Sequence, residues 1–278
     1  MPRVLEFFHD NLPTGPLLAW SPVMLAWSLA ALSLAGWLKQ RRGWMTGYTR
    51  KVFHFITFAT VAALMHLPGQ ADGGGQISGG TDQPADMRAV CLFAVATSLV
   101  VFFAMTGGRQ TQDSGLKTQD SGLRVFLYEA IAREKDAPHR TWFIFVSYLA
   151  TLIGGLMTSI GFGRVAIVGF LITGIADAVA EPVGTRFGRH RYRVPTLSRT
   201  ISHRSLEGSA AVFVASLVCL FAAAALTPAI GWRFDGPRLA AIVAIAAIAT
   251  FAEAVSPHGW DNLTMQVLPT WLAWTWMT

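Results

Sequence analysis

The chain has 278 residues, of which 53% are hydrophobic and only 14% charged, where a soluble domain carries about a quarter charged residues. A mean hydropathy of +0.43, with several apolar runs near the ~20 residues that cross a bilayer as a helix, excludes an ordinary soluble fold. The net charge of +6 sits between those runs, so it reads as membrane orientation and not as a nucleic-acid footprint.

In chain order, the N-terminus lacks the basic stretch, short apolar core and small-residue site of a cleavable signal peptide, and none is expected. The first predicted span runs from about Pro16 to Leu38 and ends at Lys39, Arg41 and Arg42. Arg50 and Lys51 open a second, Val52 to Leu67, followed by a Gly-rich loop from Pro68 to Pro84. The third covers Ala89 to Thr106. A tandem heptapeptide follows, TQDSGLK then TQDSGLR, residues 111–124. The glycine in each copy favours a duplicated linker over a coiled-coil heptad. Val125 to Asp136 has apolar residues alternating with Glu129 and Arg133, the pattern of a helix lying along a membrane surface. Further spans are predicted at Thr141–Ile160, Val165–Val183, Leu206–Leu226, Leu239–Val255 and Leu263–Met277. The last carries Trp271, Trp274 and Trp276, an interfacial belt. Cys91 and Cys219 stand alone in apolar stretches and read as inert thiols.

Lys plus Arg number one in the N-terminal tail, then five, one, six, one, six, two and none in successive loops. That alternation is the positive-inside pattern. The expectation is a single all-α domain over residues 1–278, a multi-pass integral membrane protein of about eight transmembrane helices. Its N-terminus lies outside. Lys39–Lys51, Arg109–Arg140, Thr185–Arg204 and Ser256–Asn262 share the cytoplasmic side.

The richest stretch is Thr173 to Gly208. It starts inside an apolar run, where a carboxylate is expensive, and leaves through a loop bearing Arg186, Arg189, Arg191, Arg193, Arg199 and Arg204. Asp177, Glu181, Gly184 and Gly188 are spaced four, three and four apart, which makes one stripe on a helix. Acids for a divalent metal, bare backbone for close approach and a cationic loop together suggest a nucleoside triphosphate at a membrane surface. The plainer alternative is a helix–helix contact through small residues followed by a positive loop. Asp177 is placed about 13 Å below Arg186 at 1.5 Å per residue, where it can hold Mg²⁺ or take a hydroxyl proton.

Other candidates fall on the same predicted side. Arg50, Lys51 and His54 form RKxxH, with a fork and a point charge suited to phosphate oxygens. His203, Arg204, Ser205, Glu207 and Gly208 open the sixth span, where Ser205 suits an N-cap. Glu253 is an acid in an apolar run. Asp261 and Asn262 suit metal or ribose contact, or else a tight turn.

These motifs resemble the CTP-dependent lipid-alcohol kinases, the family of dolichol kinase, phytol kinase and the yeast-type diacylglycerol kinase. The likeness rests on Arg50-Lys51-x-x-His54, Asp177-x-x-Ala180-x-x-x-Gly184-x-x-x-Gly188, Arg204-Ser205-Leu206-Glu207-Gly208, Glu253, and Asp261-Asn262-Leu263-Thr264, over about residues 44–264. Ala176 stands where the family often has Gly, and His203-Arg204 where it has a basic pair. The resemblance implies transfer of the γ-phosphate of CTP, with Mg²⁺ as cofactor, to the hydroxyl of a polyprenol, prenol or diacylglycerol. It implies catalysis by Asp177, Glu181 and Glu253 and metal contact by Asp177 and Asp261. Nucleotide contact would come from Arg50, Lys51, His54, Gly184, Gly188, His203, Arg204, Ser205, Glu207, Gly208 and Asn262. Two other readings stay open: a CDP-lipid cytidylyltransferase, and a secondary transporter using the intramembrane acids as an ion relay.

Overall fold

A computed structural model describes residues 2–13, 15–66, 87–114, 122–194, 202–227, 230, 235–257 and 259–278. The Gly-rich loop, half of the tandem repeat and Arg199 lie outside these residues.

The described chain is helical apart from one two-stranded ribbon. Helix α1 (Pro2–Asp10) and the short α2 (Gly15–Leu18) precede α3 (Ser21–Arg42). Gly43, at φ 65°, ends α3 in the left-handed conformation, with its N–H returned to the last turn. Then come α4 (Thr46–Leu64), α5 (Arg88–Ser114) and α6 (Leu123–Ile131). A 3₁₀ turn at Glu134–Asp136 leads into α7 (Arg140–Phe162). A second 3₁₀ turn, Gly163–Ala166, reverses the chain, so that the Phe170 ring packs at Gly155. Helix α8 (Ile167–Leu171), a π-helical segment (Ile172–Ala176) and α9 (Asp177–Phe187) follow without a break. The chain ends with α10 (Leu206–Leu226), α11 (Gly236–Val255) and α12 (Asp261–Met277).

Among the described residues, five helical stretches are long and apolar enough to cross a membrane: Gly15–Arg42, Arg88–Gly108, Arg140–Phe187, Leu206–Leu226 and Gly236–Val255. The third of these is the α7–α9 hairpin. An all-α membrane protein is thus the architecture, with α4 and α12 as further, shorter members of the bundle.

The α8–π–α9 rod is central. All five residues of α8 are buried, in a core built with α4, α10, α11 and α12. Helix α12 runs parallel to α7: Asn262 bonds Thr151, and Trp274 packs on Phe162 at the far end. The N-termini of α7 and α12 and the C-terminus of α9 therefore meet at one end of the bundle.

Two expectations change here. Val125–Asp136 is not one continuous helix: α6 stops at Ile131 and packs Val125, Leu127, Tyr128, Ala130 and Ile131 inside the protein. It belongs to a second core with α3, α4, α5 and α7. The basic loop after α9 is not irregular throughout: β1 (Arg191–Val194) pairs antiparallel with β2 (Ser202–Ser205), Tyr192 opposite Arg204. The Tyr192 hydroxyl meets Ser209 Oγ at 2.7 Å, which fastens the ribbon to α10.

Candidate functional site

Where these ends meet, the helices leave a cavity of about 260 Å³. Six cationic side chains line it (Arg50, Lys51, Arg133, Lys135, Arg191 and Arg204), against four carboxylates (Asp177, Glu181, Glu253 and Asp261). Separate elements bring them there. α4 carries Arg50 and Lys51, the turn before α7 carries Arg133 and Lys135, α9 carries Asp177 and Glu181, and the ribbon carries Arg191 and Arg204. α11 and α12 contribute Glu253 and Asp261.

Asp177 is only 3% exposed and sits at the join of the π segment and α9. A π turn is rare and recurs at functional positions, because it re-aims the side chains that follow it. Lys51 donates to Asp177 Oδ2 in a tight ion pair. His54 Nε2 lies 2.9 Å from the Thr173 carbonyl and 3.7 Å from Asp177 Oδ2. One turn on, Glu181 meets Lys135 at 2.9 Å and Arg133 at 3.7 Å. A Cβ on Gly47 would stand 2.7 Å from Glu181 Oε1, so α4 has no side chain where this carboxylate lies.

On the opposite wall Arg204 joins two acids. It pairs with Glu253, through the side chain and the backbone carbonyl, and with Asp261 Oδ2 at 3.0 Å. Burial opposes the Arg204 charge, but Asp261 and Glu253 outweigh it and raise its pKa. Glu253 is 4% exposed, and its Oε2 has no hydrogen-bond partner. Arg50 donates to Ser147 Oγ at 2.5 Å, and Asn262 Nδ2 donates to Thr151 Oγ1 at 2.7 Å, which aligns α4, α7 and α12 along the floor.

The structure thus brings together Arg50, Lys51, Asp177, Glu181, Gly184, His203, Arg204, Ser205, Gly208, Glu253, Asp261 and Asn262. Other predicted contacts are corrected. His54 lies behind Asp177 and outside the ionic cavity, bonded to backbone. Gly188 faces Ser205, where a Cβ would fall 2.7 Å from Oγ, and not the cavity. The bare stripe admits α10: a Cβ on Gly208 would lie 3.0 Å from the Ala180 carbonyl and 3.4 Å from Gly184 Cα. Close helix–helix packing, the plainer reading, therefore explains the glycines. Ser205 caps α10 by accepting from Gly208 N–H at 3.1 Å. Glu207 turns away to His190 Nδ1 at 2.8 Å and stiffens the base of the ribbon. The metal pair, Asp177 and Asp261, lines the cavity, but each has a cationic partner. Among the described residues no three His, Cys, Asp or Glu side chains group as a ready-made metal site.

Sequence reasoning missed Arg133 and Lys135, and singled out Arg191 only as one of the arginines of the cationic loop. The charges at 133–136 were visible as Arg-Glu-Lys-Asp beside an apolar helix, and only their continuation as a surface helix hid their use.

Comparison with known proteins points the same way. The chain is similar to a phytol kinase of Synechocystis sp., 32% identical over 126 residues, which make up 45% of this chain and 50% of the relative. The chain therefore matches about half the length of that curated relative. The similarity supports kinship with lipid kinases. No family model matches the chain, and no solved structure does.

Proposed function

We propose that the chain is a membrane kinase that transfers the γ-phosphate of a nucleoside triphosphate, with CTP as donor, to the hydroxyl of a lipid alcohol. The observation that carries this reading is Asp177. It is a buried carboxylate on a π-bulged helix, paired to Lys51, at the wall of a cavity where cations outnumber acids. Such a cavity suits a polyphosphate, whose transfer depends on positioning and charge stabilisation more than on covalent chemistry. Its size, near the lower end of ligand pockets, fits the phosphates better than a whole nucleotide. The phytol kinase similarity favours a prenol-type acceptor.

In this reading Arg50, Lys51, Arg133 and Arg204 hold phosphate oxygens. Asp177 accepts the proton of the lipid hydroxyl as its oxygen bonds to the γ-phosphorus and the nucleoside diphosphate leaves. Glu181 keeps Lys135 and Arg133 at the rim. The residues fit a divalent ion: Mg²⁺ binds through one or two carboxylates plus phosphates and waters, and the unpartnered Glu253 Oε2 stands near Asp261 on one wall. Glu253 and Asp261, with Asp177 opposite, would hold it, and Mg²⁺ would neutralise phosphate charge there. Eight crossings with the cavity facing the cytoplasm would put the site where nucleotides are.

The test is purified protein with labelled CTP, ATP, GTP and UTP against a panel of lipid alcohols and their monophosphates. Phosphorylated alcohol made from CTP, abolished by EDTA and restored by Mg²⁺, is the expected result. Formation of a CDP-lipid from the monophosphate would instead make the chain a cytidylyltransferase. No lipid product under any pairing would remove the kinase reading.

A further inference from the structure

Deeper in the bundle lies a second, larger cavity of about 330 Å³, walled almost wholly by apolar side chains of α4, α5 and α7. Along α5 it extends from Met87 to Ser98, about 16 Å at 1.5 Å per residue. Phe7 and Phe8 of α1 close its far end. Between it and the ionic cavity is a narrow space of about 60 Å³. This neck shares Thr57, Phe58, Tyr148 and Thr151 with the apolar cavity, and Arg50 and Asn262 with the ionic one. Three spaces thus stand in series, apolar, narrow and ionic, and the ionic one contains Asp177.

One polar atom in the apolar wall is unexplained. Gln266 is fully buried, and its Oε1 has no hydrogen-bond partner. Its amide nitrogen is held by the Asn262 and Thr151 carbonyls at 2.8 and 3.2 Å. A Cβ on Gly155 would lie 3.4 Å from that oxygen, and none is there. A buried acceptor left unpaired is costly.

We propose that the apolar cavity holds the tail of the acceptor, a lipid alcohol with a single hydrocarbon chain, whose hydroxyl passes the neck between Arg50 and Asn262 to reach Asp177. The inference rests on the kinase reading and adds to it the place of the tail and the number of tails. A neck this small passes one chain, so a two-chain glycerolipid is a poor acceptor. The Arg50–Ser147–Asn262 row is the polar collar at which the chain stops.

Leu152→Trp and Ala94→Trp each fill the cavity from a different helix without touching the ionic site. The expected result is a rise of about tenfold or more in KM for a long isoprenoid alcohol, the scale set by several lost methylene contacts. KM for a short-chain alcohol and for CTP stays unchanged, and diacylglycerol is a poor substrate of the unaltered protein. In parallel, a long-chain alcohol with a photoreactive tail end is crosslinked to the unaltered protein in lipid nanodiscs and mapped by mass spectrometry. Labelling of Cys91 or Leu156 supports the proposal. Labelling confined to the outward-facing Leu99 and Ile153, or unchanged KM in both variants, overturns it. So does equal labelling by a photoreactive phosphatidylcholine, which would make the occupant a bystander membrane chain. If no alcohol is phosphorylated, the kinase reading fails by itself, while the crosslink still decides whether the cavity takes an alcohol's tail.

Discussion

Two ionic clusters sit at the same end of this bundle and differ in how completely they are satisfied. In one, Lys39 bridges Glu129 and Glu134 at 3.2 and 2.8 Å, Thr46 donates to Glu134 at 2.7 Å, and the Arg140 fork takes both Glu129 oxygens at 2.9 and 3.0 Å. Every carboxylate in it is met by a cation or a hydroxyl. In the other, Arg204 spans Glu253 and Asp261, one Glu253 oxygen is unmet, and the whole faces a cavity. The first has the form of a clasp joining α3, α4, α6 and α7. The second has the form of a receptor for something not carried by the chain. Charge density alone does not separate them, but saturation does.

That contrast is broken most directly at Asp177. Asp177→Asn keeps shape and removes the proton acceptor, so lipid phosphorylation falls by about 10²–10⁴-fold while the protein still folds, less stable for the loss of the Lys51 ion pair. An active Asp177→Asn protein would reduce the cavity to another clasp. Next is Arg204→Met, which leaves two buried acids without their cation and costs about 3–5 kcal/mol. Chemical denaturation measures that loss, and added Mg²⁺ with nucleotide should recover part of it if the acids are ligands. Glu129→Gln belongs to the saturated cluster. It should cost about 1–3 kcal/mol yet leave the KM for CTP unchanged, and a raised KM would blur the division drawn here.

The smallest effect is in acid. Burial alone would raise the Glu134 carboxyl, but hydrogen bonds from Lys39 and Thr46 override it and hold it at about 2, below its ordinary 4.5. The folded value is the lower one, so this contribution to stability is complete above pH 4.5 and disappears as pH falls toward 2. Glu134→Gln should therefore be less stable than the unaltered protein near neutrality, with the gap closing in acid. Its largely exposed side chain keeps the gap small.

Much of this was readable from the residues. Apolar runs gave the long helices, since bilayer thickness sets their length. Asp177, Glu181 and Glu253 stood out as acids in apolar surroundings, and helical spacing put Asp177, Glu181 and Gly184 on one face, as α9 has it. What failed was partner identity. A run of small residues announces that something comes close, and does not say whether it is a ligand or, as found, α10. Glu207 has the letters of a site residue, but a strand pairing invisible in RYRV turns it toward His190. Arg133 and Lys135 were misread because α6 ends at Ile131, two residues before the charges begin.

The π segment at Ile172–Ala176 has one more consequence. A π turn holds an extra residue, so everything after it is rotated by about 100° relative to an uninterrupted helix. The half of the rod that packs in the core and the half that presents Asp177 are thereby phased independently, like two dials on one shaft. Removing a single residue from that segment would leave both halves helical and swing the carboxylate off Lys51, disabling the proposed kinase without unfolding it.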